Sequence, residues 1–183
     1  MSEISFAVWL TGLPGSGKST IAEKLQELLQ NSKISSFILS TDHMRKYVTP
    51  NPQYTDEERQ LVYNAFAYTS KLLVKHGTNI IMDGTGNKRK YRSLAREIIP
   101  NFLLVFLKCP LKIAIKRETE REDTKGAPKN VYEKAQSGES STIPGVQVEY
   151  EDPKDPDLVV NTARLSIAES ARKIQSKILS EYF

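Results

Sequence analysis

An α/β fold, with a mostly parallel sheet covered by helices on both faces, follows from three observations on the 183-residue chain. Short runs of strand-forming residues alternate with helical patterns along its length. Two of those runs, Phe6 to Leu10 and Phe102 to Leu107, are apolar almost throughout, as strands buried on both faces are. Glycine, aspartate and proline gather where the runs end. That places the polar chemistry beyond the C-terminal ends of the strands, where ligands sit in such folds.

The first strand is Phe6 to Leu10, followed by a loop, Thr11 to Gly17, with three glycines and a proline. From Lys18 a helix is expected, because Ile21, Ala22, Leu25, Leu28 and Leu29 recur at spacings of three and four. A second strand covers Ser36 to Leu39 and runs into Ser40-Thr41-Asp42. Pro50 and Pro52 then break the chain. A long helix from Asp56 to Lys75 is bounded by Thr55 as N-cap and by Gly77. Asn79 to Met82 forms a third strand and Lys88 to Ile99 a basic helix. Phe102 to Leu107 is the fourth strand, and a helix runs from Pro110 to about Arg121. The stretch from Glu122 to Pro153 has little periodicity. Leu158 to Val160 is a short last strand and Ser166 to Leu179 a terminal helix.

Composition narrows the class. Hydrophobic residues make up 39% and charged residues 26%, values of a folded globular chain. One cysteine, Cys109, excludes an internal disulfide, and two histidines exclude a histidine-only zinc cluster within one chain. No apolar run is long enough to span a bilayer, and Met1 to Ser5 carries no basic signal segment, so a cytoplasmic setting is expected. The net charge of +4 permits a phosphate-rich small molecule and does not require nucleic acid.

Gly12-Leu13-Pro14-Gly15-Ser16-Gly17-Lys18-Ser19 fits G-x-x-x-x-G-K-[ST] between a strand and a helix. Glycines there let backbone N–H groups curl around phosphate oxygens, and the helix start adds free donors. The candidate nucleotide-binding residues are therefore Gly12, Pro14, Gly15, Ser16, Gly17, Lys18, Ser19 and Thr20. Lys18 is expected to bridge the terminal phosphates of ATP and Ser19 to ligate Mg²⁺. This makes the chain one P-loop kinase domain over residues 1–183, with a lid region at about 118–153.

Asp42 follows a strand close to this loop and is the candidate base toward an acceptor hydroxyl. Arg45, three residues on, is placed to clamp an anionic acceptor. Asp83 ends the third strand as a candidate magnesium ligand and acceptor-side residue, and Arg92 is the member of the basic helix chosen for the acceptor. Tyr63 and Phe66 belong to the core or flank a base, and the interval Tyr47 to Tyr54 is a candidate substrate wall. His43 is expected to be a surface or support residue. Arg117 and Arg121 share a helical face and, with Lys129 in the lid, bring positive charge toward the transferring phosphoryl group.

Phe6-Ala7-Val8-Trp9-Leu10-Thr11-Gly12-Leu13-Pro14-Gly15-Ser16-Gly17-Lys18-Ser19-Thr20 resembles the opening of adenylylsulfate kinases. Pro128-Lys129-Asn130-Val131-Tyr132-Glu133-Lys134-Ala135-Gln136-Ser137-Gly138-Glu139 is similar to that family's PKGLYKKAR-x-GE lid segment. Ile143-Pro144-Gly145-Val146 stands where the family has FTG-I, and Tyr150-Glu151-Asp152-Pro153 with Asp155 to Thr162 resembles its ending. The resemblance implies phosphoryl transfer from ATP to the 3′-hydroxyl of adenosine 5′-phosphosulfate. It places Asp42 and Arg45 at the acceptor, Lys129 at the phosphates through the lid, and Arg117 on the ATP side. It implies a homodimer.

The chain departs from the family at four places. The DGD motif reads Ser40-Thr41-Asp42, and the paired arginines read Asn64-Ala65. The SPY segment is replaced around Asp83-Gly84-Thr85-Gly86, and the adenine-stacking phenylalanine reads Ile143. Asn64 and Ile143 thereby join the candidate acceptor residues. These departures keep open another small P-loop kinase, acting on a nucleic acid end, an aminoacyl-tRNA or a different small alcohol.

Overall fold

A computed structural model describes residues 4–123, 131–137 and 142–183. Its strands are β1 (Ala7–Thr11), β2 (Ser36–Ser40), β3 (Asn79–Asp83), β4 (Phe102–Lys108) and β5 (Leu158–Asn161). They form one sheet in the order β2-β3-β1-β4-β5, and every pairing is parallel. The helices are α1 (Lys18–Asn31), α2 (Thr41–Val48), α3 (Asp56–Lys75), α4 (Arg89–Ile98), α5 (Leu111–Glu120), α6 (Val131–Gln136) and α7 (Ile167–Tyr182).

The two-residue period of a strand explains the two cores. Phe6, Val8 and Leu10 point to one face and pack with Ile21, Leu25 and Leu29 of α1 and Ile174 and Ile178 of α7. Ala7 and Trp9 point to the other, against Tyr63, Phe66 and Val74 of α3 and Tyr91 and Ala95 of α4. Trp9 is fully buried there, its ring edge-on to Phe66.

Caps fix the helix starts. The Thr55 side chain accepts from Glu58 N, and Asp56, Glu57 and Glu58 complement the positive end of α3. Ser166 and Glu169 form a capping box on α7.

Among the differences between the element boundaries and the sequence reading, one is consistent across the sheet. Each of β1 to β4 runs one residue past its apolar run, into Thr11, Ser40, Asp83 and Lys108. Ladder pairing continues there because these residues sit at the sheet's rim: Ser40 and Leu10 both lie in register with Asp83. No loop separates β2 from α2, so Asp42 lies in the first turn of a helix. The aperiodic stretch holds the short helix α6.

Candidate active site

The chain turns from β1 to α1 through the phosphate loop, and its glycines are there for geometry. Gly15 has φ 77° and Gly17, the N-cap of α1, has φ 98°, both in the left-handed region. A Cβ at Gly15 would lie 2.1 Å from Ala114 O, so the loop rests directly on α5. The first turn of α1 carries no acidic residue, which leaves its positive end uncompensated. Ser16 Oγ is buried in the loop without a hydrogen-bond partner. An orphaned donor beside an uncompensated helix start suits an anion.

Lys18 Nζ donates to Gly12 O and Leu13 O at 3.1 and 3.0 Å. Burial lowers its pKa, while the charges of Asp83 and Asp42 act in the opposite direction. Asp83 is 6% exposed. Burial raises its pKa, against the pull of Lys18 and a hydrogen bond from Ser19. Ser19 and Asp83 therefore meet at the mouth of the loop. Asp42 is half-buried beside them, its N–H capped by Ser40 Oγ at 3.3 Å.

These groups lie in one cavity of about 1000 Å³. On one side of the phosphate loop it is lined by Arg117, Arg121, Thr162, Leu165 and Ser170. Arg117 Nη2 donates to Thr162 O at 2.8 Å, and Arg121 pairs with the buried Glu118 at 3.2 Å. The hydroxyls of Thr162 and Ser170 are buried without partners.

The other side is lined by Arg45, Tyr54, Arg59, Tyr63, Gly84, Thr85 and Ile143. Arg45 and Arg59 are both buried and flank the Tyr54 ring, 4.7 and 5.5 Å from its centroid. Arg45 pairs with Glu58 at 2.5 Å. Arg59 donates only to carbonyls among its described partners, Tyr54 O at 3.0 Å and Thr142 O at 2.6 Å. Tyr54 holds φ 55°, a costly conformation for an aromatic residue. Its N–H donates to Glu58 Oε2, which helps to hold it there.

The sequence model of the adenylylsulphate kinase family matches residues 4–161. The chain belongs to the adenylylsulphate kinase family. A probable adenylyl-sulfate kinase of Archaeoglobus fulgidus is 32% identical over 87% of this chain and 97% of that protein. One from Pyrococcus abyssi is 33% identical over 94% of each. The solved APS kinase of Mycobacterium tuberculosis, in complex with AMPPNP and APS, superposes with a TM-score of 0.85. It is 28% identical, covering 96% of this chain and 98% of that one.

Within this adenylylsulphate kinase fold, the cavity gathers Pro14, Gly15, Ser16, Gly17, Lys18, Ser19, Thr20, Asp42, Arg45, Asp83, Arg117, Arg121 and Ile143, with Gly12 at the root of the loop. Two expected acceptor residues lie elsewhere. Asn64 is exposed on the outer side of α3 and accepts from Gln60 Nε2, because the inward face of that helix runs through Arg59, Val62, Tyr63 and Phe66. Arg92 is 2% exposed and spends its donors on Thr11, Gly86 and Glu151 behind the cavity wall. Lys129 lies outside the described residues. His43 is exposed, as expected of a surface residue.

Arg59 brings a buried cation to the cavity that the sequence reading did not assign, beside Tyr63, which it read as core or as flanking a base. The signal was available: Arg59 stands three and four residues before Val62 and Tyr63, on the apolar stripe of α3. A cation on a buried stripe needs an anionic partner.

Proposed function

We propose that the chain transfers the terminal phosphoryl group of ATP to the 3′-hydroxyl of adenosine 5′-phosphosulfate, giving 3′-phosphoadenylylsulfate and ADP. The observation that carries this is the buried pair Arg45 and Arg59 around Tyr54, across Lys18, Asp42 and Asp83 from the Arg117 end of the same cavity. Two arginines and an aromatic ring suit an anionic nucleotide acceptor. The opposite end, with the orphaned Thr162 and Ser170 hydroxyls, suits the donor nucleoside. The solved relative carries AMPPNP and APS together, which supports one ligand on each side.

The phosphate loop holds the donor phosphates with its N–H groups and the Ser16 hydroxyl. Asp42 takes the proton of the acceptor hydroxyl as its oxygen attacks the terminal phosphorus. The bond from that phosphorus to the bridging oxygen of ADP breaks, and Lys18, Arg117 and Arg121 stabilise the charge that gathers there. Ser19 and Asp83 fit magnesium, which binds through one or two protein oxygens and substrate phosphates. When bound, the ion neutralises charge on the terminal phosphates. Ser40 stands where the family's first carboxylate is expected, and its register partner is Asp83, so a carboxylate is still present at the same level of the sheet. The family resemblance supports a role for Lys129 toward the phosphates, in a lid at about 118–153, and a homodimer; the sequence reading adds a cytoplasmic setting.

Asp83-Gly84-Thr85, part of the stretch in place of SPY, lines the cavity and favours a second reading, in which a different alcohol takes the phosphate. Labelled ATP offered with a panel of acceptors separates the two. Transfer to adenosine 5′-phosphosulfate in preference to the others is expected. Transfer only to polynucleotides, tRNA or sugars would overturn the assignment.

A further inference from the structure

Behind the acceptor wall lies a buried polar knot that the chemistry above does not use. Thr11 Oγ1, at the root of the phosphate loop, donates to Thr85 O at 2.6 Å and meets Tyr150 Oη at 2.8 Å. Arg92 Nη1 donates to Gly86 O at 2.7 Å and reaches Thr11 Oγ1 at 3.4 Å. Arg92 Nη2 donates to Glu151 O. The guanidinium also lies 5.4 Å from the Tyr150 ring centroid. Asn87 closes the knot: its O accepts from Glu151 N at 2.8 Å, and its Nδ2 donates to Glu149 O at 3.2 Å. Burial pushes the Tyr150 hydroxyl up to about 12, so it stays neutral and able to donate.

Three separate stretches meet on one buried guanidinium. They are the phosphate-loop root at Thr11, the loop Gly84–Asn87 after β3, and the strap Glu149–Glu151. Gly84 and Thr85 line the acceptor end of the cavity, and Arg92 does not. A buried cation held by carbonyls, with no ion pair among the described residues, is costly for packing alone. Here it fixes the path of a glycine-rich loop whose backbone forms the acceptor wall.

We infer that Arg92 is a positioning residue for the acceptor: it sets the Gly84–Thr85 wall by tying it to Thr11 and to the strap at Glu151. The inference rests on the reading of that end of the cavity as the acceptor side. Trp9, the chain's one tryptophan, reports on the same wall, because its indole N–H donates to Gly84 O at 2.7 Å.

The test is steady-state transfer to adenosine 5′-phosphosulfate by the wild-type chain, Arg92→Met and Arg92→Lys, with Trp9 emission read in parallel. Arg92→Met is expected to raise the acceptor KM about tenfold or more while the donor KM stays within about twofold. Its Trp9 emission shifts to the red, and Arg92→Lys recovers part of both effects. Tyr150→Phe removes one hydroxyl from the knot and is expected to raise the acceptor KM in the same direction by less. It serves if Arg92→Met does not fold. Equal changes in donor and acceptor KM, or an unmoved acceptor KM in either variant, would overturn the role of Arg92. A wild-type chain that ignores adenosine 5′-phosphosulfate overturns the acceptor assignment instead. Trp9 emission then decides for Arg92: a red shift in Arg92→Met supports the tie, and unchanged emission refutes it.

Discussion

Asp42 and Asp83 stand in one crevice with different surroundings, and the difference separates their roles. Asp42 is half-buried in the first turn of α2, open to a hydroxyl in the cavity. Replacing it with Asn removes a proton acceptor without changing shape. Turnover is expected to fall by roughly 10²–10⁴, with nucleotide binding kept, in a labelled-phosphate assay. Asp83 is buried, and its pKa is raised mainly by that burial. An acid whose pKa rises on folding holds its proton more tightly in the folded state. Stability then falls as pH climbs from the ordinary aspartate range through the raised value, and is level above it. Asp83→Asn removes that penalty. The variant is expected to melt higher than the wild type at pH 7–8, with no such gain near pH 3, and to lose activity. Thermal melts at the two pH values check the sign. An unchanged melting point at pH 7–8 would count against the cost assigned to this carboxylate. Arg59→Ala is expected to raise the acceptor KM far more than the donor KM, because Arg59 lies on the acceptor side alone.

Among the elements, the phosphate loop is braced from outside. Gly15 leaves no room for a side chain against Ala114 O of α5, and Tyr132 of α6 donates to Pro14 O at 2.8 Å. Gly15→Ala combines a positive φ with this clash. It is expected to cost about 1–3 kcal/mol and to abolish nucleotide-induced stabilisation, read by thermal shift. The bounds of α3 were legible in the sequence to the residue, because Thr55, the acidic first turn and Gly77 are local signals. The helix α6 was not. Six residues carry too little periodicity, and α6 is held by tertiary contacts: Tyr132 on the loop and Val131 N on Glu118 Oε1. The phosphate-loop chemistry was legible for the same local reason as α3. Asn64 and Arg92 were misplaced because sequence position told their element but not which way a side chain faces across the tertiary structure.

At the scale of the whole molecule, the crevice at the strand ends makes stability and function share one set of contacts. Saturating nucleotide with magnesium, at about 100 times Kd, is expected to add about 2.7 kcal/mol. For a chain of this size that raises the melting temperature by about 5–10 °C. A chelator is expected to remove part of the gain. No shift with any nucleoside triphosphate would contradict the cavity's assignment. The parallel sheet has a further consequence during synthesis. β1 is central, yet it is made first. Its neighbours come much later, since Ala7 pairs with Ile80 and with Phe102. Some 95 residues separate Ala7 from Phe102, a delay of about 5–20 s at ordinary translation rates. Until Ile80 is made the strand lacks both neighbours, and its second edge stays open until Phe102, so this strand is the segment that a ribosome-associated chaperone has most reason to hold.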